Sequence, residues 1–248
     1  MIGIFIAITG IIIGSFLNVC IFRIPKGESI SYPPSHCTNC STRIKPYDLF
    51  PVISYFILKG KCRNCKEKIF IRYPLIELAT GILFFAAYLK FDLTLDLIKF
   101  TLLSSFLIVI GMIDLDTTDV YLKTILPGIV VGIVFVIIAF FSGSSYITFI
   151  LGGLLAGGII ALIIVTTHGM GWGDFEICVL SGLFLGLKLS IVMVFFSFVL
   201  GGLIGVLLLI TKKKGRKDQI PFGPFIVMGT FVAMFFGEQI INWYLNFL

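Results

Sequence analysis

The chain has 248 residues, 58% of them hydrophobic and 13% charged, with a formal net charge of +6 and a mean hydropathy of +1.09. Such values exclude a soluble globular domain and describe a membrane protein whose polar residues are confined to loops and one insert. The basic excess gives no reason to invoke nucleic acid, because the Lys and Arg residues fall where membrane orientation would put them.

In chain order, apolar runs occupy 2–21, 73–87, 95–113, 125–141, 147–165, 175–187, 191–210 and 225–245. Each reads as a helix. In lipid only helices and closed barrels pair every backbone group, and these runs lack the two-residue alternation of barrel strands. The expected fold class is all-α, a polytopic membrane protein of about eight transmembrane helices with a small cytoplasmic zinc-ribbon-like insert. The run at 175–187 is short enough to tilt, to sit among other helices or to be partly re-entrant. Residues 1–14 carry neither a basic n-region nor a small-residue cleavage site, so the first run reads as a retained span.

Arg23 is the first basic residue and follows the first run, which places the N-terminus outside and Arg23 in the cytoplasm. Eight alternating spans then leave 23–72, Lys123 and the run Lys212, Lys213, Lys214, Arg216 and Lys217 on the cytoplasmic side. Lys90 and Lys188 fall near outer loops, with Lys99 early in a span and free to snorkel outward. Anionic inner-leaflet lipid is the partner this charge suits.

The polar insert carries Cys37-Thr38-Asn39-Cys40 and, after 21 intervening residues, Cys62-Arg63-Asn64-Cys65. Two Cys-x-x-Cys knuckles at this spacing bring four thiolates to one point, as in a zinc ribbon. A reducing cytoplasm favours zinc over two disulfides. Four sulfurs fill a tetrahedral shell and leave no position for substrate, so the zinc is expected to be structural. Lys45, Lys59, Lys61, Arg63, Lys66 and Lys68 would offset the charge of such a centre. His36 is an alternative ligand but reads better as a loop histidine, while Cys20 and Cys178 lie in or beside apolar runs and read as buried hydrophobes.

Acidic residues near the bilayer are few and so carry meaning. Gly111-Met112-Ile113-Asp114-Leu115-Asp116 closes one span, and Gly169-Met170-Gly171-Trp172-Gly173-Asp174 opens another, both on the cytoplasmic side by the topology above. Two carboxylates meeting in a partly dry site can share a proton and activate water, which is the chemistry of aspartyl proteases. The glycines before Asp174 would let an extended substrate backbone approach. Taken alone, Asp174 could equally be a helix N-cap, and Asp116 and Asp119 read as solvated loop acids. His168 has no Ser or Cys nucleophile organised beside it.

Together, GSFLNVCIFRIP at 14–25, the two cysteine knuckles, IRYPLIELATG at 71–81, IDLD at 113–116, GMGWGD at 169–174 and PFGPF at 221–225 resemble the type IV prepilin peptidases, membrane aspartyl proteases of the Gly-x-Gly-Asp class. The resemblance implies cleavage of the basic leader of a type IV prepilin or pseudopilin at the cytoplasmic membrane face, with Asp114 and Asp174 as the catalytic pair. It also implies N-methylation of the new N-terminus by S-adenosylmethionine, and associates Gly60 and Glu77 with that step. No glycine fingerprint of a nucleotide fold identifies a methyl-donor site.

The implied organisation is a first span at 1–22, a cytoplasmic four-cysteine zinc insert at 23–72 serving methyl transfer, and a protease core at 73–248. Tyr121 stands where the family pattern has proline and Glu176 where it has lysine. A transporter or channel, and a zinc-stabilised assembly factor without catalysis, are the rival readings.

Overall fold

The computed structural model describes residues 1–212 and 220–247. Lys213, Lys214, Arg216 and Lys217 of the expected cytoplasmic run lie outside the described residues. Among the described residues there are nine α-helices and no strands: α1 (Ile2–Arg23), α2 (Ile53–Ile57), α3 (Arg72–Phe91), α4 (Leu95–Thr117), α5 (Leu122–Phe141), α6 (Tyr146–Thr167), α7 (Trp172–Leu185), α8 (Leu187–Ile210) and α9 (Gly223–Leu245). The all-α polytopic expectation holds. Seven of these helices are long and apolar enough to cross a membrane. The eighth expected span is α7, whose 14 residues cover only about 21 Å.

The chain divides into two compact units, Met1–Ser105 and Phe106–Leu248. In the first, α1 packs along α3, and the insert connects them. Asn18 of α1 donates to the Tyr73 carbonyl at 3.0 Å. Buried Arg23 closes the start of the insert by donating to the carbonyls of Ser29 and Pro33. Each bond satisfies a polar group that apolar surroundings would otherwise penalise.

In the second unit α7 packs against α5, α6, α8 and α9, and its Ile177, Leu180 and Phe184 are wholly buried. A helix so short can hold that central position because α6 comes backbone to backbone with it. A Cβ on Gly152 would lie 2.6 Å from the Gly182 carbonyl oxygen, and one on Gly182 would lie 2.5 Å from that of Gly152. Without side chains between them, the two helices gain dispersion contact along their length.

Lys99 is buried but reaches back one turn toward the start of α4, where it pairs with the exposed Asp96 at 2.6 Å, with its ammonium 4.5 Å from the Phe100 ring.

Candidate functional sites: a cysteine cluster and a pair of buried aspartates

The insert folds as two knuckles with the same hydrogen bonds in the same places. Cys37 N–H donates to the Thr42 carbonyl and Cys62 N–H to that of Glu67; Ser41 N–H returns to Cys37 and Lys66 N–H to Cys62. The chain reverses through left-handed residues, Ser41 at φ 56° and Lys66 at φ 61°. Isolated bridges His36 to Arg43 and Lys61 to Lys68 close the two turns. The result brings Cys37, Cys40, Cys62 and Cys65 together, with every Sγ within 4.8 Å of the others and those of Cys37 and Cys65 3.8 Å apart.

Tetrahedral zinc with bonds of about 2.3 Å requires sulfurs about 3.8 Å apart, so the cluster fits such an ion. Asn39 donates its amide across to Cys65 Sγ at 3.8 Å, and Asn64 to Cys40 Sγ at 3.7 Å. Hydrogen bonding by the Thr42 hydroxyl and backbone, with Asn64, holds the Cys40 thiol down to about 5. Against a hydrogen bond from the Glu67 backbone, burial and the neighbouring thiols push that of Cys65 up to about 11, so the sulfurs titrate as a coupled group. Arg63 forks onto Asp48 with bonds of 2.8 and 2.7 Å, tying the second knuckle to the middle of the insert. His36 points elsewhere in this scheme: its Nδ1 is 3.1 Å from the Pro34 carbonyl, and it is not one of the clustered ligands.

Gly60 and Glu77 both have local structural roles. Gly60 opens the second knuckle at φ +65°, and a Cβ there would lie 3.0 Å from the Tyr55 ring. Its carbonyl accepts Ile69 N–H at 2.8 Å. Glu77, buried in α3, accepts the Val52 N–H on Oε2 at 2.7 Å and is bonded to the Ser15 hydroxyl of α1. The two thus bracket the α2 segment, Glu77 at Val52 before it and Gly60 after it.

In the second unit, Asp114 lies in the last turn of α4 and Asp174 in the first turn of α7, 4% and 8% exposed. Asp174 is the third residue of α7, not its N-cap: Gly171 holds that place, and its N–H donates back to Asp174 Oδ2 at 3.2 Å. The carboxylate therefore sits at the positive end of the helix dipole. Residues two apart on a helix face different ways, so Glu176 does not share the helix face of Asp174.

Asp114 Oδ2 is buried and has no hydrogen-bond partner among the described residues. It lies against Gly223 at the start of α9, where a Cβ would come 2.5 Å from Oδ2 and 2.9 Å from Ile177 of α7. Gly223 thus lets α4, α7 and α9 converge on the carboxylate. The signal for Gly223 in the sequence is a glycine between two prolines, PFGPF, next to a helix start.

Gly173 differs from the expectation that the glycines leave room for substrate. A Cβ there would lie 2.5 Å from Val120, so the α4–α5 loop already fills that space, whereas nothing of the kind crowds Gly171. Asp116, Asp119 and His168 are exposed. Tyr121 acts through its carbonyl, which accepts the Thr124 N–H and hydroxyl at 2.8 and 2.7 Å, a function that proline at this place would also supply.

Residues 8–91 match the bacterial peptidase A24 N-terminal domain, and residues 101–206 match the type IV leader peptidase family. The chain is 32% identical to a prepilin leader peptidase/N-methyltransferase of Bacillus subtilis (strain 168) over 96% of both chains. It belongs to the type IV leader peptidase family. Similar proteins of the same name occur in Pseudomonas putida, 27% identical over 94% of this chain and 90% of the relative, and in Pseudomonas aeruginosa, 29% identical over 96% and 91%. No solved structure matches the chain. Within this chain, the N-terminal match contains the cysteine cluster, and the second match contains both aspartates but ends before Gly223.

Proposed function

We propose that this membrane protein cleaves the basic leader of a type IV prepilin or pseudopilin at the cytoplasmic membrane face, with Asp114 and Asp174 as the catalytic pair. The observation that carries the reading is the burial of two carboxylates at the ends of different helices, with Gly223 lying against both Asp114 and Ile177, one helical turn from Asp174. One carboxylate takes a proton from water as its oxygen attacks the scissile carbonyl. The other, protonated, donates to the carbonyl oxygen, and collapse of the tetrahedral centre passes a proton to the leaving amine.

Asp174, at a helix N-terminus, is the better base; Asp114, at a helix C-terminus and with Oδ2 unbonded, is the better donor. A prepilin presents its basic leader to the cytoplasm and its apolar helix to lipid, so the scissile bond falls near the interface where these residues are placed. The exposed acids Asp116 and Asp119 are suited to receive the leader. This orientation has the N-terminus outside and the insert in the cytoplasm.

The insert, 23–72, with the first span at 1–22, serves N-methylation of the new N-terminus with S-adenosylmethionine as donor, and 73–248 holds the protease core. Cys37, Cys40, Cys62 and Cys65 would hold a zinc ion, which supplies folding rigidity and no reacting group. A transporter reading is set aside because both described sites lie in regions that match a peptidase family. The test is to incubate the purified chain with a prepilin and S-adenosylmethionine and read product mass: loss of the leader and gain of one methyl are expected. An uncleaved prepilin refutes the protease reading, and a cleaved product without the methyl increment refutes the second activity alone.

A further inference from the structure

The insert carries large apolar side chains that its own fold does not cover. Phe50, Ile53, Phe56, Ile57, Phe70 and Ile71 are each between 60% and 76% exposed, and all lie in a segment otherwise rich in lysine. On a loop bathed in water such a patch would be an aggregation hazard.

The position of this face is set by one hydrogen bond. Val52 sits between Phe50 and Ile53 in a tight turn at φ 62° and ψ −54°, closed by Ile53 N–H donating to the Pro51 carbonyl at 2.6 Å. That conformation is costly for a β-branched residue. It aims the Val52 N–H at Glu77, whose Oε2 receives it at 2.7 Å. Glu77 lies five residues into α3, about 7 Å along its axis. The 20 residues of α3 span about 30 Å, no more than a hydrocarbon core requires, so Glu77 lies below the membrane surface. Whatever is bonded to Glu77 is held at that depth.

We propose that residues 49–57 form an interfacial anchor, with Phe50, Ile53 and Phe56 seated at the boundary of headgroups and acyl chains in an anionic leaflet, and with Glu77 as the positioning residue that fixes their depth. Amphipathic segments of this kind enter a membrane by about 5–10 Å, which matches the depth of Glu77. Leu75, Leu78 and Ile82 of α3 are exposed as well, at the helical spacing that puts them on one lipid-facing side of a spanning helix. Lys45, Lys59 and Lys61 flank the segment and suit anionic headgroups. The inference depends on α3 crossing the membrane and not on the proposed catalysis.

The test places a tryptophan on the face. Full-length chain carrying Phe56→Trp is reconstituted in vesicles of phosphatidylglycerol with brominated or unbrominated phosphatidylcholine, and its fluorescence is compared with that of the parent, which has Trp172 and Trp243 only. Loss of about half or more of the added signal in brominated lipid, with little quenching by aqueous iodide, is expected. An added signal that iodide quenches and bromine spares overturns the proposal. Protection from both also overturns it, because a second copy or a substrate helix would then cover the face. Phe50→Trp is read in the same way if the first variant does not fold. Glu77→Ala in the tryptophan background should reduce bromine quenching about twofold as the depth is lost; unchanged quenching removes the role given to Glu77.

Discussion

The cysteine cluster and the aspartate pair bring chemistry-bearing groups together by opposite means. In the insert, short turns with left-handed residues place four sulfurs near one point, and the side chains around them stay partly open to water. In the second unit, helices, among them the short α7, meet through glycines until two carboxylates are buried. Local hydrogen bonds set the first geometry and packing sets the second. A change of one atom should therefore be felt by the sulfurs through their ligand count, and by the aspartates through displacement.

The widest separation of the two regions is expected from Asp114→Asn and Asp174→Asn. Each should lower leader cleavage by about 10³-fold or more, while methylation of a pre-cleaved substrate continues. Appreciable cleavage by either variant would remove that residue from the catalytic pair. Next comes metal removal: a strong chelator, or Cys37→Ser with Cys65→Ser, should abolish methyl transfer and loosen the insert to proteolysis while cleavage persists. If cleavage falls in parallel, the insert serves the protease as well.

Gly223→Ala sharpens the packing side of the comparison. Its Cβ must displace Asp114 or Ile177, and a misplacement near 1 Å is expected to lower kcat of cleavage about 10²-fold with KM little changed. Asp48→Asn should have the smallest effect, raising the rate of metal loss to chelator about twofold. The Arg63 guanidinium holds the Asp48 carboxyl below its usual range. The contribution of a depressed carboxylate is fully present above its unfolded pKa and is lost as pH falls through the folded value. The difference between variant and parent should thus be constant from about pH 8 to about pH 5.

The helices were legible because lipid demands long apolar runs, and the cysteines because two knuckles with fixed spacing admit few readings. The aspartates were legible from their rarity at span ends. What spacing could not carry was contact between distant segments. Nothing in residues 171–174 says that Val120 covers Gly173, and nothing near 114 says that Gly223 lies against it. The place of Asp174 at the third residue of α7, rather than at its cap, was hidden because Gly171 caps through its backbone alone. Val52 was invisible for a similar reason: its contribution is a backbone N–H, aimed by a turn that no side chain announces.

The matching hydrogen bonds of the two knuckles give the insert a local twofold character. Each half contributes two thiols and one asparagine that reaches over to a sulfur of the other. Two thiols alone cannot fill a tetrahedral shell, so neither half is complete in isolation. Assembly around a metal ion would consequently be all-or-none: ion, first half and second half would come together as a single clasp, and opening either side would release all three.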